Sequence, residues 1–288
     1  MRHYSVVVVT AVKHKDIGAL PELRFITYLS PSLPLELFEA VVDHVRRHVG
    51  CRASLRAETS VSGPRRGAGD PFSRGEADVA FVCSPSYAWL RELEPPPAEL
   101  LGVAPVFRDR RNGGRPLYFC EVIVRRDAPV RSFMDLKGGS WAYNDRCSLS
   151  GYHGLLKKLT EMGTEQRFFG RLIRSGSHLK SLEMVAQGAV DAASIDSNVL
   201  ALRLRARPEL RRVLRVAETW GPFPVQPVIV RSALGTDLKK ALREGFLTVD
   251  SNPRARRVLA EFGLERFDRV SRETYESERL TAPSVIPN

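Results

Sequence analysis

Short β-rich runs alternate with amphipathic helical stretches along most of this chain, and that alternation restricts the fold more than any other feature. Leu23 to Leu29 reads as a strand, and Leu35, Phe38, Val41, Val42 and Val45 then recur at helical spacing up to Gly50. Strands are predicted at Ala77 to Val82, Val103 to Phe107, Leu117 to Val124, Trp141 to Tyr143 and Arg171 to Arg174. Three more follow at Val190 to Ile195, Arg212 to Glu218 and Val225 to Val230. Helices are predicted from Ser84-Pro85 through Trp89, and at Gly151 to Met162, Leu179 to Gln187, Asn198 to Arg207, 236–247 and 253–262. Asn112-Gly113-Gly114 is a turn signal, whereas residues 1–22 carry little pattern. Such alternation predicts parallel sheets in an α/β protein. The chain also echoes itself. Gly75-Glu76-Ala77-Asp78-Val79-Ala80 resembles Gly188-Ala189-Val190-Asp191-Ala192-Ala193, each read as a helix end, a glycine, a strand and a Ser/Asp loop. Two α/β lobes of similar build are expected.

Composition narrows the class. With 288 residues and 43% hydrophobic content, the chain can bury a sizeable core as one large domain or two smaller ones. No run approaches the roughly 20 apolar residues of a membrane span. Cys51, Cys83, Cys120 and Cys147 contain no CxxC pair, so neither a disulfide framework nor a zinc site is expected, and no metal or cofactor is called for. The net charge of +11 reads either as a surface or cleft that attracts anions or as a solvated basic surface. Its densest cluster, Arg203, Arg205, Arg207, Arg211, Arg212 and Arg215, spreads around a helical cylinder and is broken by Pro208, which reads as solvated surface rather than a nucleic-acid face.

Polar loops follow several predicted strands. Asp145-Arg146-Cys147-Ser148-Leu149-Ser150-Gly151-Tyr152 puts two hydroxyls and a glycine where a strand passes into a helix. Helix starts carry free N–H groups and the positive dipole end, so this segment is an anion cradle or a plain serine cap. Ser175-Gly176-Ser177-His178 repeats the geometry, and Asp196-Ser197-Asn198 reads as cleft acid or helix cap. The first half supplies Tyr28-Leu29-Ser30-Pro31 and Ser84-Pro85-Ser86-Tyr87. A cleft between two lobes gathers all five loops at strand ends, where open α/β sheets bind ligands. Cys147, beside the cradle, is either a reactive thiol or a small buried residue.

These residues carry a resemblance. The chain resembles the phosphate/phosphonate-type (PhnD-like) substrate-binding proteins of ABC transporters, which have the type 2 periplasmic-binding-protein fold. The matching stretches are Asp135-Leu136-Lys137-Gly138, Ser148-Leu149-Ser150-Gly151-Tyr152, Gly176-Ser177-His178, Gly188 to Ala193, Asp196-Ser197 and Pro224 to Arg231. The likeness covers roughly residues 23–275 and is strongest over 117–232. The family's anion loop carries Ser-Thr-Ser-Gly, so Ser148, Ser150, Gly151 and Tyr152 match and Leu149 replaces a hydroxyl. The resemblance implies that His178 and Asp196 face the ligand, and that Tyr87, Ser84 and Tyr28 line the first-lobe wall. His178 is expected to add a hydrogen bond, and a positive charge when protonated. In the first lobe Ser62-Gly63-Pro64-Arg65-Arg66-Gly67 replaces the family's usual loop.

The resemblance implies two lobes, 23–118 plus 228–288 and 119–227, joined by crossing strands at Phe119 to Val124 and Val225 to Val230. A monomer closing by a hinge on a small anion, with an ABC permease as partner, is the expected function. A cytoplasmic enzyme on the same fold, like those of the futalosine pathway of menaquinone synthesis, with His178 as base and Asp196 as orienter, and a ligand sensor are the alternatives. The start of the chain shows no export signal, so both the periplasm of the resemblance and the cytoplasm stay open as compartments.

Overall fold

The computed structural model describes residues 5–7, 22–67 and 69–276. Residues 1–4 and 8–21 of the stretch read as unpatterned, and the part of the expected first lobe beyond Glu276, lie outside the described residues. The first half contains β1 (Ser5–Val7), β2 (Glu22–Thr27), α1 (Leu35–Val49), β3 (Arg52–Ala57), β4 (Val79–Phe81), α2 (Ser84–Leu90), β5 (Ala98–Leu100), β6 (Val103–Phe107) and β7 (Leu117–Arg125). There follow β8 (Ser140–Tyr143), α3 (Gly154–Glu161), β9 (Arg171–Arg174), α4 (His178–Ala186), β10 (Ala192–Asp196) and α5 (Ser197–Ala206). The chain continues with α6 (Leu210–Val213), β11 (Leu214–Pro224), β12 (Val228–Arg231), α7 (Thr236–Leu247), α8 (Pro253–Glu261) and β13 (Leu264–Arg269).

Local chemistry explains the main elements. In α1 the apolar positions Leu37, Phe38, Val41, Val42 and Val45 form one buried stripe. Gly50 ends that helix at φ 71°, a left-handed conformation that suits glycine, and its N–H donates to the Arg46 carbonyl. Around β8, the rings of Phe133, Trp141, Phe169 and Trp220 pack at centroid distances of 5.2–6.1 Å. That aromatic cluster anchors the second sheet in the core.

The two sheets share one plan. The first has the order β1-β3-β2-β4-β12-β5 and the second β11-β7-β10-β8-β9. Read from the other end, the second sheet runs β9-β8-β10-β7-β11. In both, three strands are parallel to their neighbours and the last two pair antiparallel (β3-β2-β4 then β12-β5; β9-β8-β10 then β7-β11). The sheets are therefore mixed, not parallel throughout as the strand–helix alternation alone suggested. The antiparallel strands are those through which the chain passes between sheets.

The internal echo has a physical basis. The Asp78 N–H donates to the Arg24 carbonyl at 2.8 Å, and its carboxylate accepts the Arg24 N–H at 2.9 Å. In the second sheet the Asp191 N–H donates to the Ser140 carbonyl at 3.1 Å, and its carboxylate accepts the Ser140 N–H at 2.7 Å. Each Asp clamps the start of the strand to which its own strand runs parallel. Gly75 (φ 66°) and Gly188 (φ 74°) make the same left-handed turn before it. A helix precedes only Gly188; Gly75 follows a turn, because the Gly/Pro/Arg-rich 62–71 segment forms no helix.

Other differences from the sequence reading follow from pairing. Ser5–Val7 is a strand on β3, inside the stretch read as unpatterned. The turn at Asn112-Gly113-Gly114 does not join a hairpin: β6 pairs with β13, while β7 pairs with β10 and β11. Phe119 to Val124 lies wholly within β7 in the second sheet, so the chain passes between the sheets at residues 108–116 and again at 225–227. The helix read from Gly151 begins instead with a π turn at Leu149–His153, and α3 follows.

The paired aspartates give the first prediction. Asp78 is buried and also holds the guanidinium groups of Arg24 and Arg231, whereas the Asp191 clamp lies at the exposed surface. Asp78→Ala is expected to lower the unfolding free energy by about 3 kcal/mol and Asp191→Ala by about 1 kcal/mol, read by denaturant titration. Equal effects would contradict the burial argument.

Candidate functional site

The strand-end loops of the two sheets meet around a cavity of about 30 Å³. One side consists of Tyr28, Ser32, Ser62 and Cys83, and the other of Asn144, Ser148, Ser150, His178 and Asp196. Gln226, in the link between β11 and β12, closes the ring, and Leu29, Leu33 and Val199 supply apolar wall. The volume exceeds the roughly 10–15 Å³ that one water needs, so a compact oxyanion is the scale of guest it suits.

The anion loop is held by its own hydroxyls. Ser148 caps the π turn, and its Oγ accepts the Gly151 N–H at 3.0 Å. Ser150 Oγ lies 3.0 Å from His178 Nε2, and the Ser150 carbonyl accepts from Ser194 Oγ. Leu149, which replaces a hydroxyl residue, is buried, and its N–H donates to Cys83 Sγ at 3.1 Å. Gly151 is required by close approach, because a Cβ there would lie 1.7 Å from Asn144 Oδ1.

His178 opens α4 behind its cap, Ser177. Burial, opposed only in part by the Ser194 backbone, lowers its imidazole to about 4. The expected positive charge is therefore absent near neutral pH, and His178 acts as a neutral hydrogen-bonding group. Asp196 combines both roles read for it. Its Oδ1 caps α5 by accepting from Asn198 N at 2.7 Å and Val199 N at 3.3 Å, while Oδ2 accepts from Gln226 Nε2 at 2.7 Å. Burial raises its carboxyl to about 6, against those hydrogen bonds and with the nearby Glu121 adding to the rise. None of the cavity's described walls carries a guanidinium or ammonium group.

Four expected residues are not on the cavity wall, Gly151 of the anion loop among them. Tyr87 is buried edge-on against Tyr275, with ring centroids 5.9 Å apart. Tyr152 packs on Tyr143 at 4.9 Å. Ser84 starts α2 and is buried, but Cys83 takes its place on the wall. Conversely, sequence reasoning did not single out Ser32, Ser62, Cys83, Asn144 or Gln226 as wall residues. Asn144 directly precedes the anion loop and Gln226 lies in the matching stretch Pro224 to Arg231, so both had a local signal. Ser62 opens the stretch that replaces the family's usual first-lobe loop, but only the fold brings it across the cleft.

Direct hydrogen bonds cross that cleft. Ser62 Oγ donates to Asp145 Oδ2 at 2.5 Å, Asn144 Nδ2 to Ser62 Oγ at 3.2 Å, and an Arg174 guanidinium nitrogen to the Ser60 carbonyl at 2.7 Å. Cys147, beside Asp145, has its thiol pushed up to about 12 by burial and that carboxylate. It is the small buried residue of the two readings, not a thiolate. Three of the six clustered arginines are held by the protein itself: Arg203 pairs with Glu183, Arg207 with Glu209, and Arg215 donates to the carbonyls of Ala128 and Val130, while Arg205, Arg211 and Arg212 are exposed.

Two lobes that meet through polar strand-end loops around a small cavity define a substrate-binding protein of the type 2 periplasmic fold. Solved structures share that fold. A binding-protein component of an ABC phosphonate transporter from Pseudomonas aeruginosa matches with a TM-score of 0.75 at 18% identity, over 89% of this chain and 83% of its own. PhnD1 from Prochlorococcus marinus, solved in complex with methylphosphonate, matches with a TM-score of 0.73 at 15% identity, over 89% of this chain and 95% of its own. A protein from Xanthomonas citri solved with ATP matches at 0.65 and 22%, over 90% and 94%. The family model described as ABC transporter, phosphonate, periplasmic substrate-binding protein matches residues 23–275. The chain belongs to that family, whose members are substrate-binding components of transporters and not enzymes. The enzymatic alternative falls with this. In addition His178 bonds Ser150 and Asp196 bonds Gln226, which is not the pairing a base and its orienter need.

The two buried titrating groups predict opposite pH effects on stability. The His178 pKa is depressed on folding, so protonation favours the unfolded chain as pH falls from about 6.5 to about 4. The Asp196 pKa is raised, so ionisation favours the unfolded chain as pH rises from about 4 to about 6. Relative to the parent protein, His178→Gln should gain stability on acidification through the first window, and Asp196→Asn should gain it on alkalinisation through the second. Each gain is on the order of 3 kcal/mol at full development, read by chemical denaturation against pH. The same sign for both variants would contradict these environments.

Proposed function

We propose that the protein captures a small phosphonate-like oxyanion between its lobes by hinge closure, and as a monomer presents it to an ABC permease. The lobes of this reading are 23–118 plus 228–288 and 119–227; the pairing of the described strands supports this division except at Leu117 and Tyr118, which pair with β11 in the second sheet. The observation that carries the reading is the ring of neutral hydrogen-bonding groups from both lobes around one cavity, closed by a single acid.

The chemistry favours a tetrahedral oxyanion that retains a proton. Ser148, Ser150 and His178 stand on one side of the cavity and Tyr28 and Ser32 on the other, while the Asn144 amide and the Ser62 hydroxyl already donate to Ser62 and Asp145. Asp196, acceptor-only when ionised, repels a fully deprotonated anion but accepts a hydrogen bond from a P–OH group. Ligand binding replaces water and orders the loops that already touch across the cleft, such as Ser62 with Asp145. When His178 Nε2 carries the ring proton it donates to Ser150 Oγ, and the Ser150 hydroxyl proton is then free to turn toward an anion.

Removing one hydroxyl donor to a charged ligand is worth roughly 1.5–3 kcal/mol. Ser150→Ala is therefore expected to weaken methylphosphonate binding by about 10-fold or more in titration calorimetry, with thermal unfolding of the free protein little changed. Unaltered affinity in a folded variant would contradict the assignment.

A further inference from the structure

A second cavity of about 20 Å³ adjoins the first and shares three walls with it, Leu29, Leu33 and Gln226. Beyond them the lining is hydrocarbon. Phe38 and Val41 of α1, Phe81 of β4, Phe107 of β6 and Phe267 of β13 surround it, and all five are buried. Gln226 carries the one polar side chain of this lining, and its amide nitrogen is bound to Asp196. Water needs two to four polar partners, so an apolar void of this kind is dry.

We propose that the ligand is an alkylphosphonate, its phosphonate group in the polar cavity and its short unbranched chain passing between Leu29 and Leu33 into the apolar annex. This rests on the oxyanion reading of the polar cavity and adds the nature of the substituent. The annex takes a chain of a few carbons because its volume is small and its walls are rings already packed in the core. It disfavours an aminoalkyl chain, because no carboxylate lies among its walls and a buried ammonium would be unpaired there. Asp196 lies on the polar cavity only, where the P–OH group uses it.

Propylphosphonate and 2-aminoethylphosphonate have the same shape and differ by a methyl against an ammonium group. Calorimetry of the full chain with methyl-, ethyl-, propyl- and 2-aminoethylphosphonate therefore tests the proposal. Affinity is expected to rise about fourfold per added methylene, the equivalent of about 0.8 kcal/mol. Propylphosphonate should bind at least 10-fold tighter than the amine. In Val41→Leu, which fills the annex from α1, the propyl-to-methyl affinity ratio should fall toward one. In Phe267→Leu, which enlarges it, the best chain should lengthen to butyl. Each ratio is taken within one variant, so a general loss of stability cancels. Binding of methylphosphonate with no gain from longer chains, or an amine that binds as tightly as propyl, overturns the annex while the oxyanion reading stands. Failure of every phosphonate to bind overturns both.

Discussion

Asp196 holds three parts of the structure together with one carboxylate. One oxygen caps α5, the other takes the amide of Gln226 in the chain link between sheets, and the group forms part of the cavity wall. A buried carboxylate is tolerated only when hydrogen bonds replace its water. Here they come from a helix start, which also offers the positive end of its dipole. The same bonds place the acid at the end of β10, so the carboxylate that folding requires there is also the one that faces the cavity. Burial still lifts the carboxyl to about 6, which leaves an acceptor suited to a proton-bearing guest.

The rest of the site repeats this logic without full charges. Helix and turn starts, hydroxyls and a neutral imidazole converge on a cavity whose described walls carry no cation. Neutral donors hold an anion in a low-dielectric site by many partial charges. They avoid the desolvation penalty that a buried guanidinium carries in the empty protein. For the proposed oxyanion, the net charge of +11 would act at longer range and draw the anion toward the surface. In the proposed function, attraction and recognition are thus separated in space. The duplicated sheet plan makes this possible. Two sheets with the same strand order, each clamped by an Asp on a neighbouring parallel strand, bring their loop-bearing ends to one cleft.

Much of this was legible in the sequence where the pattern was local. The α1 stripe, its glycine stop, the strand at Arg171–Arg174 and the helix at Thr236–Leu247 follow from periodicity and caps. The echo around Asp78 and Asp191 pointed to two lobes, although not to the hydrogen bonds behind it. Strands whose identity depends on partners were missed. Arg52–Ala57 and Leu264–Arg269 are charged, partly exposed and poor in β-branched residues, so only pairing with β2 and β6 makes them strands. The strand read as ending at Glu218 runs on to Pro224, with irregular register past Trp220. In the cleft, Ser148, Ser150, His178, Asp196 and Tyr28 stand on the wall, whereas the side chains of Tyr87 and Tyr152 turn to aromatic neighbours. Ring packing competes with cleft exposure, and one sequence does not show which wins. Ser62 reaches the site only through the fold, across 82 residues of chain to Asn144.

The central claim is that a ring of neutral hydrogen-bonding groups with one acid selects a protonated oxyanion. Methylphosphonate and methanesulfonate test it directly, since they share shape and methyl group while only the phosphonate keeps an acidic proton near neutral pH. Calorimetric titration of both ligands, on the parent protein and on Asp196→Asn, is the decisive measurement. The account predicts that the phosphonate binds at least 100-fold tighter than the sulfonate, a difference of about 2.7 kcal/mol, and that the asparagine variant narrows this gap. Equal affinities in the parent protein, or a gap that persists unchanged in Asp196→Asn, would contradict it.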